Sequence, residues 1–306
     1  MNYKKFIKNA IIDIKENVLD KKAINALSGG VDSSVVTALA QKSIEDQLTT
    51  VFIDTGFMRK NEPETVVELF SNMGFNVELI RAQDKFYKAV KGLTDGEEKR
   101  KAFSNMFYTV FGQIIDNKGA TYLFQGTNKA DRKETDGGVK FQHNVRYDYD
   151  KFGIEGVIEP LKELYKHEIR KVARKLGFLK EIYNRQPFPG PGLLVRCLGE
   201  ATPERINIVR EAQLIVEEEL AGLKTFQDLV CLAGDTVTGL VEGEKGPGKY
   251  MIFVRSVRSK DALTAKATKI PQRIQNRINE RITKIPNVCR VLYEITDKPP
   301  STIEYI

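Results

Sequence analysis

The chain has little of several residue types that mark particular protein classes. Its 306 residues include three cysteines, two histidines and no tryptophan. Cys197, Cys231 and Cys289 lie far apart without C-x-x-C spacing, which argues against a zinc site, a redox pair or a disulfide framework. We expect them to be small buried side chains in a reducing cytosol, and therefore expect a cytoplasmic protein.

Long apolar runs are also missing. No segment approaches the roughly 18 consecutive apolar residues that a membrane-spanning helix needs. The first twenty residues alternate apolar and charged side chains at helical spacing, which is unlike a signal peptide. The length predicts about two domains. Contents of 41% hydrophobic and 29% charged residues are ordinary for an enzyme.

The net charge of +7 and the sequence pI near 9.1 leave two interpretations open. A nucleic-acid-binding protein would be expected to show basic patches with interleaved aromatic residues. An enzyme that acts on nucleotides needs only local positive charge around polyanionic substrates. The basic residues are spread along the chain and acidic residues accompany most of them, which favours the enzyme. RNA binding remains the alternative, supported by the pI alone.

The most informative segment follows an apolar run, 23–27. It reads S-G-G-V-D-S-S from Ser28 to Ser34 and continues as a helical pattern. Glycines allow close approach of an anion, and the first N–H groups of a helix lack internal partners, so this turn predicts a phosphate-binding loop. It is not a Walker A loop, because G-x-x-x-x-G-K-[ST] is absent. Asp32 lies inside the loop, which is consistent with Mg²⁺ between carboxylate and phosphates.

Apolar segments alternate with helical patterns over the first half of the chain. Strands are predicted at 22–27, 48–53, 76–81, 120–125 and 156–161, and helices at 2–19, 31–44, 61–70, 97–117 and 164–176. This alternation is typical of α/β proteins with a doubly covered parallel sheet. Ligands of such sheets bind at the carboxyl ends of the strands. Ser28, Asp54 and Gly126 each follow such an end.

Two segments interrupt this pattern. Residues 129–151 are polar and lack a core face, which predicts a structureless loop that is either a lid or an exposed connection; its position after a strand end favours a lid. Residues 185–192 contain three prolines and two glycines, which cannot continue a helix or a central strand. We therefore expect one domain over 1–185 and a smaller α+β domain over 186–306.

The second domain shows its own pattern. A helix is predicted over 203–220, strands near 229–233, 249–257 and 288–295, and a further helix beginning at Pro271. In that helix Arg273, Arg277 and Arg281 recur every four residues beside an apolar row. The arginines form either a solvated basic face or a stripe that faces a substrate, a partner or a second copy.

The loop and other segments carry a family resemblance. S-G-G-x-D-S resembles the loop of the ATP pyrophosphatases, which split ATP into AMP and pyrophosphate (PPi) and include NAD synthetase, GMP synthetase and tRNA-thiolating enzymes. Residues 185–193 resemble the R-H/Q-P-F-P-G-P-G-L segment of GMP synthetase, and 298–306 resemble its K-P-P-x-T-x-E-W-E ending. Further matches lie at 97–101, 125–127 and 159–164, in family order. The chain is therefore similar to the ATP-pyrophosphatase and dimerisation portion of GMP synthetase.

The resemblance implies amination of XMP to GMP, in which ATP adenylates the C2 oxygen of the base and ammonia then displaces AMP. It implies catalytic roles for Asp32, Lys162 and Lys166; the two lysines would share a face if their turn is helical. The implied ATP contacts are Ser28, Gly29, Gly30, Val31, Asp32, Ser33, Ser34, Ile53 and Gly126. The implied XMP contacts are Arg100, Lys298, Thr302 and Glu304. Asp32 and Asp131 are the candidate Mg²⁺ ligands, and Asp131, Glu134 and His143 the lid residues.

The chain departs from the family pattern in places. Ala130, Lys133 and Thr135 replace Pro, Ile and Ser in the lid motif, and Tyr305-Ile306 replaces the final W-E. No histidine signature accompanies a cysteine, so a glutaminase triad is not expected. The chain also starts at the synthetase helix. We therefore expect ammonia from solution or from a separate glutamine amidotransferase subunit, a homodimer formed by the second domain, and neither nucleic acid nor membrane as a partner.

Overall fold

The structure, a computed structural model, describes residues 1–136, 149–241, 244–260 and 262–306. Two compact units share the chain. The first unit comprises Met1–Asp54, Glu62–Ala82 and Met106–Arg185, and the second comprises Thr55–Asn61, Gln83–Asn105 and Gln186–Ile306. The division into domains 1–185 and 186–306 stays a prediction, because a grouping of contacts does not test which part folds alone.

The first unit contains a sheet of five parallel strands in the order β3-β2-β1-β4-β5. Its strands are β1 Ala23–Ala26, β2 Leu48–Asp54, β3 Val77–Arg81, β4 Tyr122–Phe124 and β5 Gly156–Ile158. All five were expected from the apolar runs, and the predicted parallel α/β class is confirmed. The central strand is almost wholly buried, as a strand covered on both faces must be.

Helices connect these strands. In chain order they are α1 Tyr3–Val18, α2 Val31–Ile44, α3 Glu62–Asn72, α4 Gln83–Val90, α5 Gly96–Lys118, α6 Lys129–Asp136, α7 Lys166–Lys175 and α8 Lys180–Tyr183. The predicted helix 31–44 has the bounds of α2. Helix α7 ends shortly before Gly177, whose φ of +90° suits glycine. No helix in the described part of the chain is long and apolar enough to cross a bilayer.

The prediction of a structureless loop over 129–151 is wrong for its first part, which forms α6. The turn before α6 explains the helix. The Asn128 side chain accepts hydrogen bonds from the backbone N–H groups of Ala130 and Asp131, at 2.9 and 3.3 Å, and Asp131 Oδ2 accepts from Asn128 N at 3.0 Å. This reciprocal capping starts a helix even where no apolar face is present. A short 3-10 helix follows at Tyr149–Phe152.

The second unit contains a mixed sheet built around one long strand, β8. Its strands are β6 Gln227–Leu232, β7 Val237–Val241, β8 Glu244–Arg258, β9 Lys266–Ala267 and β10 Val288–Tyr293. Strand β10 pairs with β8 in parallel, and the other three pair with it antiparallel. The predicted strand 249–257 lies within β8, whereas β7 and the start of β8 were not predicted; the glycines of this region disfavour strands. The predicted α+β character of this half is confirmed.

Two helices, α9 Pro203–Leu220 and α10 Gln272–Ile282, belong to this unit. The arginine row of α10 was expected to be solvated or to face a substrate, a partner or a second copy. Two of its arginines instead form ion pairs with α9. Arg277 and Arg281 form ion pairs with Glu219, at 2.6 and 2.9 Å, and Arg281 also pairs with Glu218. The row therefore joins α10 to the acidic end of α9, while the neighbouring isoleucines of α10 are buried.

Candidate active site

The loop between β1 and α2 has a backbone shape that requires glycine. Gly29 has a φ of +73°, and a Cβ at this position would lie 2.7 Å from Nη1 of Arg185. Arg185 Nη1 donates to the Gly29 carbonyl at 3.1 Å and its other amino group pairs with buried Glu62. Gly30 is the N-cap of α2 and provides no side-chain cap. The first N–H groups of α2 are thus available to an anion.

The serines of the loop fix its shape. Ser28 Oγ and Ser33 Oγ lie 2.9 Å apart, and Ser33 Oγ also accepts from the Ser28 backbone N–H at 3.2 Å. The hydroxyls of Ser33 and Ser34 donate to the Gly30 carbonyl at 3.0 and 2.8 Å. Ser34 is fully buried and Ser28 is exposed. Ser34 therefore shapes the turn, whereas Ser28 lies where a ligand can reach it.

The loop lies where the strand order of the sheet reverses. Strands β2 and β3 lie on one side of β1, and β4 and β5 on the other. Gly126, which follows β4, lies so close that a Cβ there would be 3.3 Å from both Asp32 Cβ and Ser33 N. The ends of β1 and β4 thus meet at a crevice of the kind in which α/β proteins bind ligands. Ile53 is buried at the end of β2.

One carboxylate oxygen of Asp32 has a cationic partner, and the other has no hydrogen-bond donor among the described residues. Oδ2 lies 2.5 Å from Nζ of Lys166, the first residue of α7. Oδ1 is buried, and no described residue donates a hydrogen bond to it. A buried carboxylate oxygen without a donor costs free energy unless a ligand completes it. The arrangement suits a cation, or a water molecule bound to one.

The other site residues predicted for the first half of the chain differ in their positions and in how far the structure describes them. Lys162 lies in the turn before α7, so the condition that Lys162 and Lys166 share a helix face is not met. Asp131 caps α6, as described above. Glu134 belongs to α6, but its side chain lies outside the description, and His143 lies outside the described residues. Their lid roles stay predictions.

All four predicted XMP contacts lie in the second unit, three of them in the segment 294–306. Arg100 Nη2 donates to the carbonyl of Ile306. Lys298 Nζ donates to the Ala262 carbonyl at 2.8 Å, and Thr302 Oγ1 donates to the carbonyl of Glu304. These contacts do not test the substrate roles of the four residues, which stay predictions.

The carboxylate of Glu304 is engaged within the protein. Arg196, which is fully buried, donates to it through Nη2 at 2.8 Å and Nε at 3.1 Å. Gln227 donates to it as well, at 2.5 Å. Such a bidentate, charge-assisted contact is strong and geometrically specific.

A second buried arginine binds the preceding residues. Arg255 Nη2 donates to Ser301 Oγ at 2.7 Å and to the Thr302 carbonyl at 2.9 Å, and Nη1 pairs with Glu294. Segment 294–306 is therefore fixed on the unit by two buried guanidinium groups. The sequence holds a signal that was not used: Arg196 and Arg255 each stand inside an apolar run, where an arginine needs a partner.

A buried lysine was also missed. Lys99 Nζ donates to the carbonyls of Cys197 and Gly199, at 2.6 and 2.7 Å, and its side chain is inaccessible to solvent. Burial lowers the pKa of Lys99 and raises that of the Cys197 thiol. The residue that precedes Arg100 is thus tied to the core of the unit, which fixes the backbone from which Arg100 extends.

Comparison with known proteins identifies the family. The model of the NAD synthase family matches residues 2–190, and that of the GMP synthase C terminal domain matches residues 216–305. A protein of Archaeoglobus fulgidus that is named as one subunit of GMP synthase (glutamine-hydrolyzing) is 51% identical over the whole of both chains. The chain belongs to this family of GMP synthase subunits.

Further relatives in this family carry the same name. The one from Pyrococcus abyssi is 50% identical over the full length of both chains. The one from Methanocaldococcus jannaschii is 47% identical over 99% of this chain and 98% of its own. The resemblance seen in the loop and in segments 185–193 and 298–306 is confirmed at the level of the family. None of these relatives is named as an enzyme that acts on tRNA.

Proposed function

We propose that this chain is the synthetase subunit of a glutamine-hydrolysing GMP synthase, a ligase that aminates XMP with ATP. The C2 oxygen of XMP attacks the α-phosphorus of ATP and PPi leaves, giving adenyl-XMP. Ammonia then attacks C2 and AMP leaves with that oxygen, giving GMP. Support comes from full-length relatives that are named as subunits of this synthase at 44–51% identity.

The structural observation that carries the proposal is the open oxygen of Asp32. It lies at the start of α2, within a glycine turn whose N–H groups suit the departing PPi. Lys166 neutralises the other oxygen of Asp32 and is half-exposed, so it can turn towards a phosphate without losing a buried partner. Ser28 and the backbone of Gly29 and Gly30 would complete the PPi contacts.

The residues present fit a magnesium ion. Among the described residues no three histidine, cysteine, aspartate or glutamate side chains cluster so as to hold a metal alone. Mg²⁺ in nucleotide enzymes is commonly held by one or two carboxylates together with substrate phosphates. Asp32 would be one such ligand, with Asp131 as a second candidate. The ion would offset the charge that develops on the leaving PPi.

The partners of the chain form part of the same proposal. The names of its relatives describe one subunit of a glutamine-hydrolysing enzyme, so we assign ammonia production to a separate glutamine amidotransferase subunit. We also propose that the second unit forms a homodimer and contributes Arg100, Lys298 and Thr302 to XMP binding, with Glu304 acting on XMP through segment 294–306, which it fixes. A cytoplasmic location is consistent with three free cysteines, two of them buried.

One assay tests the proposal. The purified chain is given ATP, Mg²⁺ and ammonium chloride with XMP, IMP or deamido-NAD in turn, and AMP, PPi and the aminated product are followed. We expect PPi release and GMP formation with XMP alone, increasing with pH as NH₄⁺ gives way to NH₃. Glutamine should be inactive until an amidotransferase is added. Turnover of deamido-NAD without XMP turnover, or glutamine-dependent synthesis by the chain alone, would contradict the proposal.

A further inference from the structure

Two helices carry most of the net positive charge of the chain. Helices α1 and α7 together carry nine lysine and arginine residues and three acidic ones. Their net charge of +6 nearly equals the +7 of the whole chain. The basic residues are spread along the sequence, but the excess of positive over negative charge is not, because two helices about 150 residues apart in sequence lie together in the fold.

The two helices form one continuous surface of the first unit. They pack against each other and against α2. Lys171 Nζ of α7 lies 5.7 Å from the ring centre of Tyr3 in α1. Exposed basic side chains cover the outer sides of both helices. We call this surface the basic face and define it by Lys4, Lys8, Lys15, Lys171, Arg174 and Lys175.

The basic face carries charge that the described structure leaves uncompensated. No carboxylate among the described residues forms an ion pair with any of its six side chains. The other basic surface of the protein differs in this respect, since Arg277 and Arg281 of α10 are neutralised by the end of α9. Like charges gathered without counter-charges destabilise a monomer and attract an acidic partner.

The composition of the face favours a protein over a nucleic acid. Large apolar side chains are exposed on or next to the two helices: Ile12 of α1 is 43% exposed, Leu19 at its end is 66% exposed, and Leu179, which follows α7, is 53% exposed. An apolar centre with a polar rim is the usual arrangement of a protein interface. Sites for single-stranded nucleic acid present aromatic stacking platforms. The two aromatic rings beside the face, Tyr3 and Tyr183, are each half-buried and lie 5.7 and 5.9 Å from a cation of the face, so neither provides an open platform.

We propose that the basic face binds an acidic surface of the glutamine amidotransferase subunit. The inference rests on the proposed function, which requires a separate source of ammonia. The first residue of α7, Lys166, lies against Asp32 in the candidate active site. The basic residues of α7 lie towards its other end, but the whole helix is only about 15 Å long. A partner that covers α7 therefore also reaches the end that borders the candidate active site, which would shorten the path of the ammonia.

Charge reversal on the face tests the inference. The variant Lys4→Glu/Lys8→Glu/Lys175→Glu changes three exposed side chains outside the catalytic and binding residues. The matched control Lys88→Glu/Lys91→Glu/Lys224→Glu makes the same charge change on exposed residues of the second unit. Circular dichroism and thermal unfolding establish that both variants are folded. Binding of the purified amidotransferase is measured by calorimetry with XMP, ATP and Mg²⁺ present, at low and high salt.

We expect the face variant to bind the amidotransferase about 100-fold more weakly, because like charges then meet across the interface. The control should bind within about three-fold of the wild type, and only the wild type and control should lose affinity steeply with salt. Ammonia-dependent GMP synthesis should be unchanged in both variants. A milder variant, Lys4→Gln/Lys8→Gln/Lys175→Gln, should show an intermediate loss.

Two results would overturn the inference. One is equal affinity of the face variant and the control for the amidotransferase. The other is loss of tRNA retention on filters by the face variant with its amidotransferase affinity intact, which would make the face a nucleic-acid site. Failure of the proposed function looks different: the wild type itself would then make no GMP from XMP and ammonium, while calorimetry still reports on binding of the amidotransferase.

Discussion

Asp32 in the first unit and Glu304 in the second are both carboxylates paired with a cationic side chain, but their surroundings are opposite. Asp32 meets the half-exposed ammonium of Lys166 through one oxygen and keeps a buried oxygen to which no residue in the described part of the chain donates. Glu304 meets the fully buried guanidinium of Arg196 through both oxygens and receives a third donor from Gln227.

The difference separates a carboxylate with an open buried oxygen from one whose two oxygens are both engaged within the protein. An incompletely satisfied buried oxygen stores free energy that a ligand can release, so Asp32 is suited to act on a substrate. A carboxylate that already accepts three hydrogen bonds gains little from a fourth donor. Glu304 therefore fits best as the group that fixes segment 294–306, with any effect on XMP following from the placement of its neighbours.

The largest expected effect is that of Asp32→Asn on catalysis. The glycine turn and the serine network do not depend on the charge of Asp32, so the variant should fold with a melting temperature close to that of the wild type. Its rate of XMP-dependent PPi release should fall by about 10²–10³, the range found for lost electrostatic stabilisers.

A matched variant, Asp116→Asn, makes the same change at an exposed position of α5 and should leave the rate unchanged. PPi release is measured with saturating ATP and XMP at several Mg²⁺ concentrations. If Asp32→Asn retains a rate within a few-fold of the wild type, Asp32 has no part in the chemistry, and the contrast with Glu304 has no functional meaning.

The second expected effect is that of Glu304→Gln on stability. The change leaves the buried charge of Arg196 without its counter-charge, and breaking a buried pair costs about 3–5 kcal/mol. Because the Glu304 side chain is 20% exposed, we expect a smaller loss, about 2–3 kcal/mol of unfolding free energy, with reduced XMP turnover as a consequence.

Urea unfolding at pH 7 measures this loss. Glu280→Gln, which removes one side of the exposed pair with Lys284, is the control and should change the unfolding free energy by less than about 0.5 kcal/mol. An unchanged stability of Glu304→Gln together with a higher KM for XMP would show instead that Glu304 touches the substrate, and would reverse the distinction drawn between the two carboxylates.

Much of the first unit could be predicted from the sequence, because its determinants are local. A segment of about a dozen residues is enough to predict each of four features: β1, β2, the glycine turn and the start of α2. The failure at α6 was also local in origin: apolar periodicity was taken as the condition for a helix, whereas the side chains of Asn128 and Asp131 provide a cap that needs no periodicity.

The second unit and the basic face could not be predicted in the same way, since their determinants join distant residues. Arg196 and Glu304 are 108 positions apart, and Lys99 binds carbonyls about 100 positions away. The apolar run around Arg196 indicates that the arginine needs a partner, but nothing in that segment points to Glu304. Only the fold shows which arginines are buried and which lysines gather on one surface.

The smallest expected effect is that of Glu219→Gln on stability. Glu219 is a third carboxylate that is paired with cationic side chains. Arg281 and Arg277 donate to it and hold its pKa below the usual range. A lowered pKa in the folded state means that the pairing contributes stability above the ordinary glutamate pKa and that the contribution is lost as the pH falls through the folded value.

Because both arginines are substantially exposed, Glu219→Gln should lower the unfolding free energy by only about 0.5–1 kcal/mol at pH 7. Urea unfolding of the variant and the wild type is compared at pH 7, 5 and 3.5. The difference should persist at pH 5 and shrink at pH 3.5, below the ordinary glutamate pKa, because the unfolded chain then takes up a proton that the paired carboxylate of the folded protein resists. A loss as large as that of Glu304→Gln, or one that grows as the pH falls, would mean that the α9–α10 pairs are not the weak surface contacts that their exposure indicates.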